Sequence, residues 1–158
     1  MHIFTPNLRR VLALAGTALA IVLGVATSAQ AAVPGVTTLR NLATGLTLDS
    51  NPSGDVYALP ANYGSFQKWV VTRADFGTVT VRNLATSRCL DSNTNRDVYT
   101  LWCNNGAFQK WIVINRDFGT IMLRNLATGL VLDSNAWGDV YTLGENYGSY
   151  QKWIAASA

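Results

Sequence analysis

The sequence predicts an all-β protein that is built from three equal repeats of 42 residues. The motif Asn-Leu-Ala-Thr begins at positions 41, 83 and 125, and Leu-Asp-Ser-Asn begins at 48, 90 and 132. Two further motifs keep this spacing: Asp-Val-Tyr begins at 55, 97 and 139, and Gln-Lys-Trp begins at 67, 109 and 151. Three copies without insertions indicate one structural unit that occurs three times.

Each repeat is predicted to form four short strands, and the middle copy shows them in order. Residues 78–82, 88–91, 97–101 and 109–114 are rich in β-branched and aromatic residues, whereas Asn, Gly, Asp and Ser occupy the segments between them. A propeller closes with about four to eight blades, so three four-stranded units are too few. The sequence therefore predicts a β-trefoil, in which a closed barrel is capped by three hairpins.

The first 32 residues predict a secretory signal peptide. Arg9 and Arg10 precede an uncharged run over 11–26, and the small residues Ala29 and Ala31 follow, an order typical of a cleaved leader. An uncleaved anchor is the alternative, but the apolar run is shorter than the roughly 20 residues of a membrane span. We therefore expect a secreted protein without a membrane span. Its mature part, residues 33–158, is predicted to form one trefoil domain with repeats at 36–77, 78–119 and 120–158.

The composition of the mature part argues against several functions. It carries ten basic and nine acidic residues, and its lysines are spread evenly, so no nucleic-acid-binding patch is expected. The only histidine, His2, lies in the predicted leader, which excludes histidine-based catalytic triads and histidine-ligated metal centres. Each aspartate of interest occurs three times, whereas an active site is usually one asymmetric cluster. We therefore expect a protein that is not an enzyme and needs no cofactor or metal.

Two cysteines, Cys89 and Cys103, lie in the predicted mature chain. An even number of cysteines in an exported protein predicts one disulfide bond. Two thiols are too few for a cysteine-ligated zinc site, which needs about four ligands.

The threefold Gln-x-Trp motif, together with Cys89-Leu90-Asp91 and Cys103-Asn104 in the middle repeat, resembles the ricin-B-type β-trefoil lectins. The segment Asp-Val-Tyr-Thr-Leu is similar to trefoil modules of actinobacterial secreted proteins and of some insect-active toxins. The resemblance implies carbohydrate binding. It also places the three tryptophans of the motif in the core, because a tryptophan carries a large apolar area. They are Trp69, Trp111 and Trp153.

The resemblance also implies which residues contact a sugar. A carboxylate accepts hydrogen bonds from two adjacent hydroxyls, amides both donate and accept, and an aromatic ring packs on the apolar face of a pyranose. The stacking tryptophan of the family is missing here, and a tyrosine on the third strand is the expected replacement, with help from Tyr63 and Tyr147. The candidate sugar-binding residues are Asp49, Tyr57, Asn62 and Gln67 in the first repeat, Asp91, Tyr99, Asn104 and Gln109 in the second, and Asp133, Tyr141, Asn146 and Gln151 in the third.

Two alternatives remain open at this point. The aspartates can instead brace turns, and the tyrosines can be ordinary strand residues that face solvent. At the level of function, the expected multivalent lectin competes with a protein-binding trefoil, such as an inhibitor or a targeting subunit of a larger assembly. Trp102 and Trp137, which the other repeats lack, are the candidate anchors of such an interface. The sequence leaves the glycan open between galactose-like residues, xylan and glycolipids.

Overall fold

The computed structural model describes residues 35–158. The predicted signal peptide, residues 1–32, lies outside the described residues. Over 35–158, no helix is long and apolar enough to cross a membrane.

The described chain contains twelve strands, four from each repeat. The first repeat forms β1 (Val36–Asn41), β2 (Thr47–Ser50), β3 (Val56–Leu59) and β4 (Trp69–Arg73). The second forms β5 (Val79–Asn83), β6 (Cys89–Ser92), β7 (Val98–Leu101) and β8 (Trp111–Asn115). The third forms β9 (Ile121–Asn125), β10 (Val131–Ser134), β11 (Val140–Leu143) and β12 (Trp153–Ser157). Short 3₁₀ helices precede the fourth strands at Ser65–Gln67, Ala107–Gln109 and Ser149–Gln151, and join the repeats at Asp75–Gly77 and Asp117–Gly119.

The first and fourth strands of the three repeats close into a six-stranded antiparallel barrel. Its order is β1, β4, β5, β8, β9 and β12, and β12 pairs back with β1. The second and third strands form the hairpins β2–β3, β6–β7 and β10–β11. A closed barrel with three hairpins confirms the predicted all-β trefoil.

The three hairpins meet in a ring of hydrogen bonds around the pseudo-threefold axis. The Gly54 carbonyl accepts from the Thr100 N–H at 2.8 Å, and the Gly138 carbonyl accepts from the Ala58 N–H at 2.8 Å. The Arg96 carbonyl completes the ring by accepting from the Thr142 N–H at 2.9 Å. Each repeat thus binds the next, which fixes the relative positions of the three hairpins.

The core consists of side chains that recur in all three repeats. Trp69, Trp111 and Trp153 are fully buried, as the sequence predicts. Each indole N–H donates to a carbonyl of its own repeat, and the Trp111 Nε1–H reaches the Leu90 carbonyl at 3.0 Å. Every buried tryptophan therefore has a partner for its single polar atom.

One position in the ring carries a side chain where the backbone favours glycine. Gly54, Arg96 and Gly138 are equivalent, with φ of 100°, 74° and 87°. The left-handed region costs a residue other than glycine about 1 to 2 kcal/mol, partly offset because glycine loses about 0.5 to 1 kcal/mol more backbone entropy on folding. We expect Arg96→Gly to raise the free energy of unfolding by about 1 kcal/mol, measured by urea denaturation.

The matched control for this variant is Gly138→Ala. A Cβ atom at Gly138 would lie 2.3 Å from the Ala58 carbonyl oxygen, so alanine must push the ring apart and lower the free energy of unfolding. A stability of Arg96→Gly below that of the parent protein would contradict the strain argument.

A disulfide bond joins Cys89 on β6 to Cys103 in the loop after β7, with the Cα atoms 5.1 Å apart. This confirms the predicted pair. The enclosed loop is short, and the chain-entropy relation gives a stabilisation of about 3 kcal/mol for it.

We expect the double variant Cys89→Val and Cys103→Ala to lose about that amount of stability, measured by guanidinium denaturation. These replacements occur naturally at the equivalent positions, as Val131 and Ala61. The parent protein under reducing conditions is the control, and a loss below about 1 kcal/mol would contradict the expectation.

Candidate functional site

The candidate site of the first repeat is an open concavity of about 450 Å³ on the outer face of the β2–β3 hairpin. Asp49 on β2 and Tyr57 on β3 are directly opposite each other in the strand pairing, so both side chains point to the same face. The loops that follow the two strands form the remaining walls. The lining residues are Asp49, Ser50, Asn51, Pro52, Tyr57, Leu59, Asn62, Gly64 and Phe66.

Asp49 forms the floor of the concavity, and its side chain is held in one orientation. Its Oδ1 atom accepts from the Ser50 N–H at 2.7 Å, and its Oδ2 atom accepts from Gln67 Nε2 at 3.0 Å. Asp49 is only 3% exposed, yet it still lines the concavity. A carboxylate offers about four acceptor positions, and two of them are used within the protein. The other two positions accept no hydrogen bond within the described residues.

Gln67 lies behind Asp49, and its amide makes three hydrogen bonds within the protein. Nε2 donates to Asp49 and, at 3.1 Å, to the Pro60 carbonyl, while Oε1 accepts from the Asn62 N–H at 2.8 Å. The side chain is 1% exposed and does not line the concavity that contains Asp49. Its geometry suits it to orient the carboxylate and to hold the Asn62 loop.

The apolar part of the concavity comes from Tyr57, which is one of the predicted site residues, and from Leu59 and Phe66, which are not. Tyr57 and Leu59 alternate with the buried Val56 and Ala58 along β3, so both face outward. Phe66 is held by the next repeat, because the Asn83 Nδ2 atom donates to the Phe66 carbonyl at 2.7 Å. Outward-facing apolar residues that recur every 42 positions were the available clue, since Leu101, Phe108 and Tyr150 are also exposed.

The second repeat has the same polar arrangement as the first. Gln109 Nε2 donates to Asp91 Oδ2 at 2.9 Å, and Gln109 Oε1 accepts from the Asn104 N–H at 2.9 Å. In the third repeat, Gln151 Oε1 likewise accepts from the Asn146 N–H at 2.9 Å. Gln151 Nε2 donates to the Gly144 carbonyl at 2.9 Å. Burial raises the pKa of Asp133, and Gln151 opposes that rise. Asp, Gln and Asn are therefore brought together in each repeat.

Burial raises the pKa of all three aspartates, Asp49, Asp91 and Asp133, above the ordinary value. Hydrogen bonds from the glutamine and from the following backbone N–H oppose this rise without cancelling it. Burial also raises the pKa of the facing tyrosines, Tyr57, Tyr99 and Tyr141, and the neighbouring carboxylates add to that rise. The tyrosine hydroxyls are thus protonated donors at neutral pH.

The turn between β2 and β3 is braced by the side chain of Asn51. Asn51 Oδ1 accepts from the N–H groups of Gly54 and Asp55, both at 3.0 Å, and its Nδ2 donates to Asp55 Oδ2 at 2.8 Å. Asn93 and Asn135 hold the equivalent turns through Asp97 and Asp139. Since Asn51 secures this turn, turn chemistry alone does not account for a buried carboxylate at Asp49.

Tyr63, which was expected to help form the apolar part of the site, does not line the concavity that contains Asp49. Tyr63 lines a second concavity on the far side of the Asn62 loop, together with Arg40 and Ile154. The ring of Tyr147 stacks against the Arg116 guanidinium, 5.4 Å from its centre. Both tyrosines have positive φ values, 60° for Tyr63 and 61° for Tyr147.

Comparison with known proteins identifies the family. A model described as the ricin-type beta-trefoil lectin domain matches residues 35–153. Among solved structures, the designed 3-fold symmetric protein ThreeFoil superimposes with a TM-score of 0.74 at 20% identity, covering 79% of this chain and 100% of that chain. The structure of SeviL bound to asialo-GM1 saccharide superimposes with a TM-score of 0.69 at 21% identity, covering 78% of this chain and 98% of that chain.

A mosquitocidal holotoxin gives a TM-score of 0.71 at 21% identity, and the match covers 77% of this chain but 16% of the toxin chain. At these identities the solved structures share the fold, and the family follows from the matched domain. The chain belongs to the ricin-type β-trefoil lectin domain family.

Proposed function

We propose that this protein is a secreted, non-catalytic lectin with one shallow sugar-binding site in each of its three repeats. The observation that carries the proposal is the buried carboxylate of Asp49 in an open concavity, with two acceptor positions that are not used within the protein. Asp91 and Asp133 are buried at the equivalent positions of the other two repeats. In this proposal the leader over 1–32 directs export, and the domain over 33–158 binds the glycan.

Each side chain has a distinct role in the proposed site. Asp49 accepts from two neighbouring sugar hydroxyls through charge-assisted hydrogen bonds. Tyr57, Leu59 and Phe66 provide apolar contact for the ring, and the Asn62 side chain at the rim meets further hydroxyls. Gln67 orients the carboxylate from behind, without contacting the sugar.

The openness of the site implies weak binding at each repeat. A dissociation constant of about 1 mM corresponds to roughly −4 kcal/mol, and a ligand with several copies of the sugar can gain about 10² to 10⁴ in avidity. Three rigidly held sites therefore suit polysaccharides or dense cell-surface glycans better than free monosaccharides.

The direct test is a glycan array and an insoluble-polysaccharide pull-down, with galactose-containing glycans, xylan and the asialo-GM1 saccharide among the probes. The triple variant Asp49→Ala, Asp91→Ala and Asp133→Ala is expected to lose binding. Its matched control is Asp55→Asn, Asp97→Asn and Asp139→Asn, which makes the same change in net charge at exposed positions and keeps a side-chain acceptor for the turn asparagines. No binding across the panel, or equal loss in both variants while both are folded, would overturn the proposal.

Acidification provides an independent prediction for the same site. Protonation removes the charge from Asp49, so glycan binding is expected to fall as the pH drops through its raised pKa. A raised pKa in the folded state means that the stability contribution of this group is present at low pH and lost as the pH rises. Binding should therefore disappear before the fold does. Binding measured from neutral pH down to about pH 4, with near-ultraviolet circular dichroism as the folding control, checks the order of the two events.

Capture of a partner protein is a second candidate function. Trp102 and Trp137 are 69% and 89% exposed, and exposed tryptophans often anchor interfaces. The segment of the mosquitocidal holotoxin that matches this chain makes up only 16% of the toxin chain. Stoichiometric binding of a protein that free sugars do not displace, and that Trp102→Ala with Trp137→Ala removes, would favour this function.

A further inference from the structure

A second concavity, of about 250 Å³, lies beside the proposed lectin site of the first repeat. The two concavities flank the same loop, because one is lined by Asn62 and Gly64 and the other by Ala61 and Tyr63. Arg40 on β1 is the charged residue in its lining, and no acidic residue contributes to it. Within residues 35–158, Arg40 forms no ion pair.

The other two repeats carry a larger or charged side chain at the position equivalent to Ala61. Ala61 corresponds to Cys103 in the second repeat, which forms the disulfide bond with Cys89. Ala61 corresponds to Glu145 in the third repeat. The first repeat has neither group at this position, and a concavity lies there.

The third repeat shows what chemistry this place accepts. The Glu145 carboxylate pairs with the guanidinium groups of Arg116 and Arg124, and its side chain is only 17% exposed. Arg124 is the threefold equivalent of Arg40. Arg40 pairs with Thr47 and Ile154 on the neighbouring strands. Arg124 pairs with the residues at the equivalent positions, Val131 and Ile112. The protein thus places its own carboxylate where the first repeat offers an arginine and open space.

We propose that the first-repeat concavity binds the carboxylate of an acidic sugar residue, a hexuronate, through Arg40. The planar guanidinium can hold a carboxylate through two parallel hydrogen bonds. Tyr63 is 83% exposed at the edge of the concavity and offers a ring for the apolar face of the sugar. The volume is below the roughly 300 to 1,000 Å³ of drug-sized sites, which suits a single sugar ring. The choice of a sugar as the occupant rests on the proposed lectin function.

The test is a two-dimensional NMR titration of the protein with sodium glucuronate, with glucose as the neutral control. Glucuronate is expected to shift the Arg40 side-chain and Tyr63 backbone resonances with a millimolar dissociation constant, while glucose leaves them unchanged. Ala61→Glu supplies the carboxylate that the third repeat has, and it should weaken glucuronate binding at least tenfold while Arg40 stays in place. Arg40→Gln should have the same effect.

The third repeat allows a gain-of-function control. Glu145→Ala is expected to open a second glucuronate site, visible as new shifts at Arg124 and Tyr147. If Ala61→Glu and Arg40→Gln bind glucuronate as well as the parent, the site assignment is wrong. If acetate binds as tightly as glucuronate, the site recognises only the carboxylate group, and the assignment of a sugar as its ligand is wrong. The triple aspartate variant should keep glucuronate binding, so failure of the lectin proposal and failure of this one can be distinguished.

Discussion

Replacing Trp111 with alanine is expected to remove about 3 to 5 kcal/mol of stability through the lost burial and the cavity left behind. The Leu90 carbonyl, which accepts from the Trp111 indole at 3.0 Å, would lose its partner at a further cost of about 1 to 3 kcal/mol. A domain of this size is stable by about 5 to 15 kcal/mol. The variant should therefore be largely unfolded or lose most of its cooperative transition. Urea denaturation followed by far-ultraviolet circular dichroism measures the loss.

Trp102 in the same repeat is the matched control. Its ring is 69% exposed and lies under the Arg88 guanidinium, 5.3 Å from the ring centre. An exposed cation–π contact is worth about 0.5 to 1 kcal/mol, so Trp102→Ala should change stability by no more than that. If the two variants lost similar amounts, the assignment of the Gln-x-Trp tryptophan to the core would be contradicted.

The architecture could be predicted from the sequence because the three repeats constrain one another. A pattern that is ambiguous in one copy becomes definite when it recurs at the same spacing, and only a few closed arrangements accommodate three four-stranded units. Strand bounds were less exact. The fourth strand of the middle repeat was predicted to begin at Gln109, whereas Gln109 ends a 3₁₀ helix and β8 begins at Trp111.

The degree to which each side chain is buried could not be predicted from the repeats. Gln67 and Phe66 are neighbours in the sequence, but the 3₁₀ helix turns Gln67 into the protein and leaves Phe66 exposed. The differences between repeats also needed the structure. The sequence shows Ala61, Cys103 and Glu145 at one position, but only the packing shows that the alanine leaves a concavity beside Arg40.

Replacing Gln67 with glutamate is expected to make both the stability and the glycan affinity of the first repeat depend strongly on pH. The change keeps the shape of the side chain but removes both Nε2 donors, one to Asp49 at 3.0 Å and one to the Pro60 carbonyl. Two lost hydrogen bonds cost about 1 to 3 kcal/mol together. Two carboxyl groups at this distance cannot both be ionised without strong repulsion, so the pair retains a shared proton, and its apparent pKa rises above the unfolded value.

The sign of the pH effect follows from that raised pKa. A proton that the folded pair binds more tightly than the unfolded chain stabilises the fold at low pH, and this stabilisation is lost as the pH rises through the raised pKa. Gln67→Glu should thus be closer to the parent protein in stability at about pH 5 than at about pH 8. Gln67→Met is the control, because it loses the same donors without a titrating group and should show no added pH dependence. If the stabilities of the two variants changed with pH in parallel, Gln67 would not be in direct contact with the Asp49 carboxylate, and its assigned role in orienting that carboxylate would be wrong.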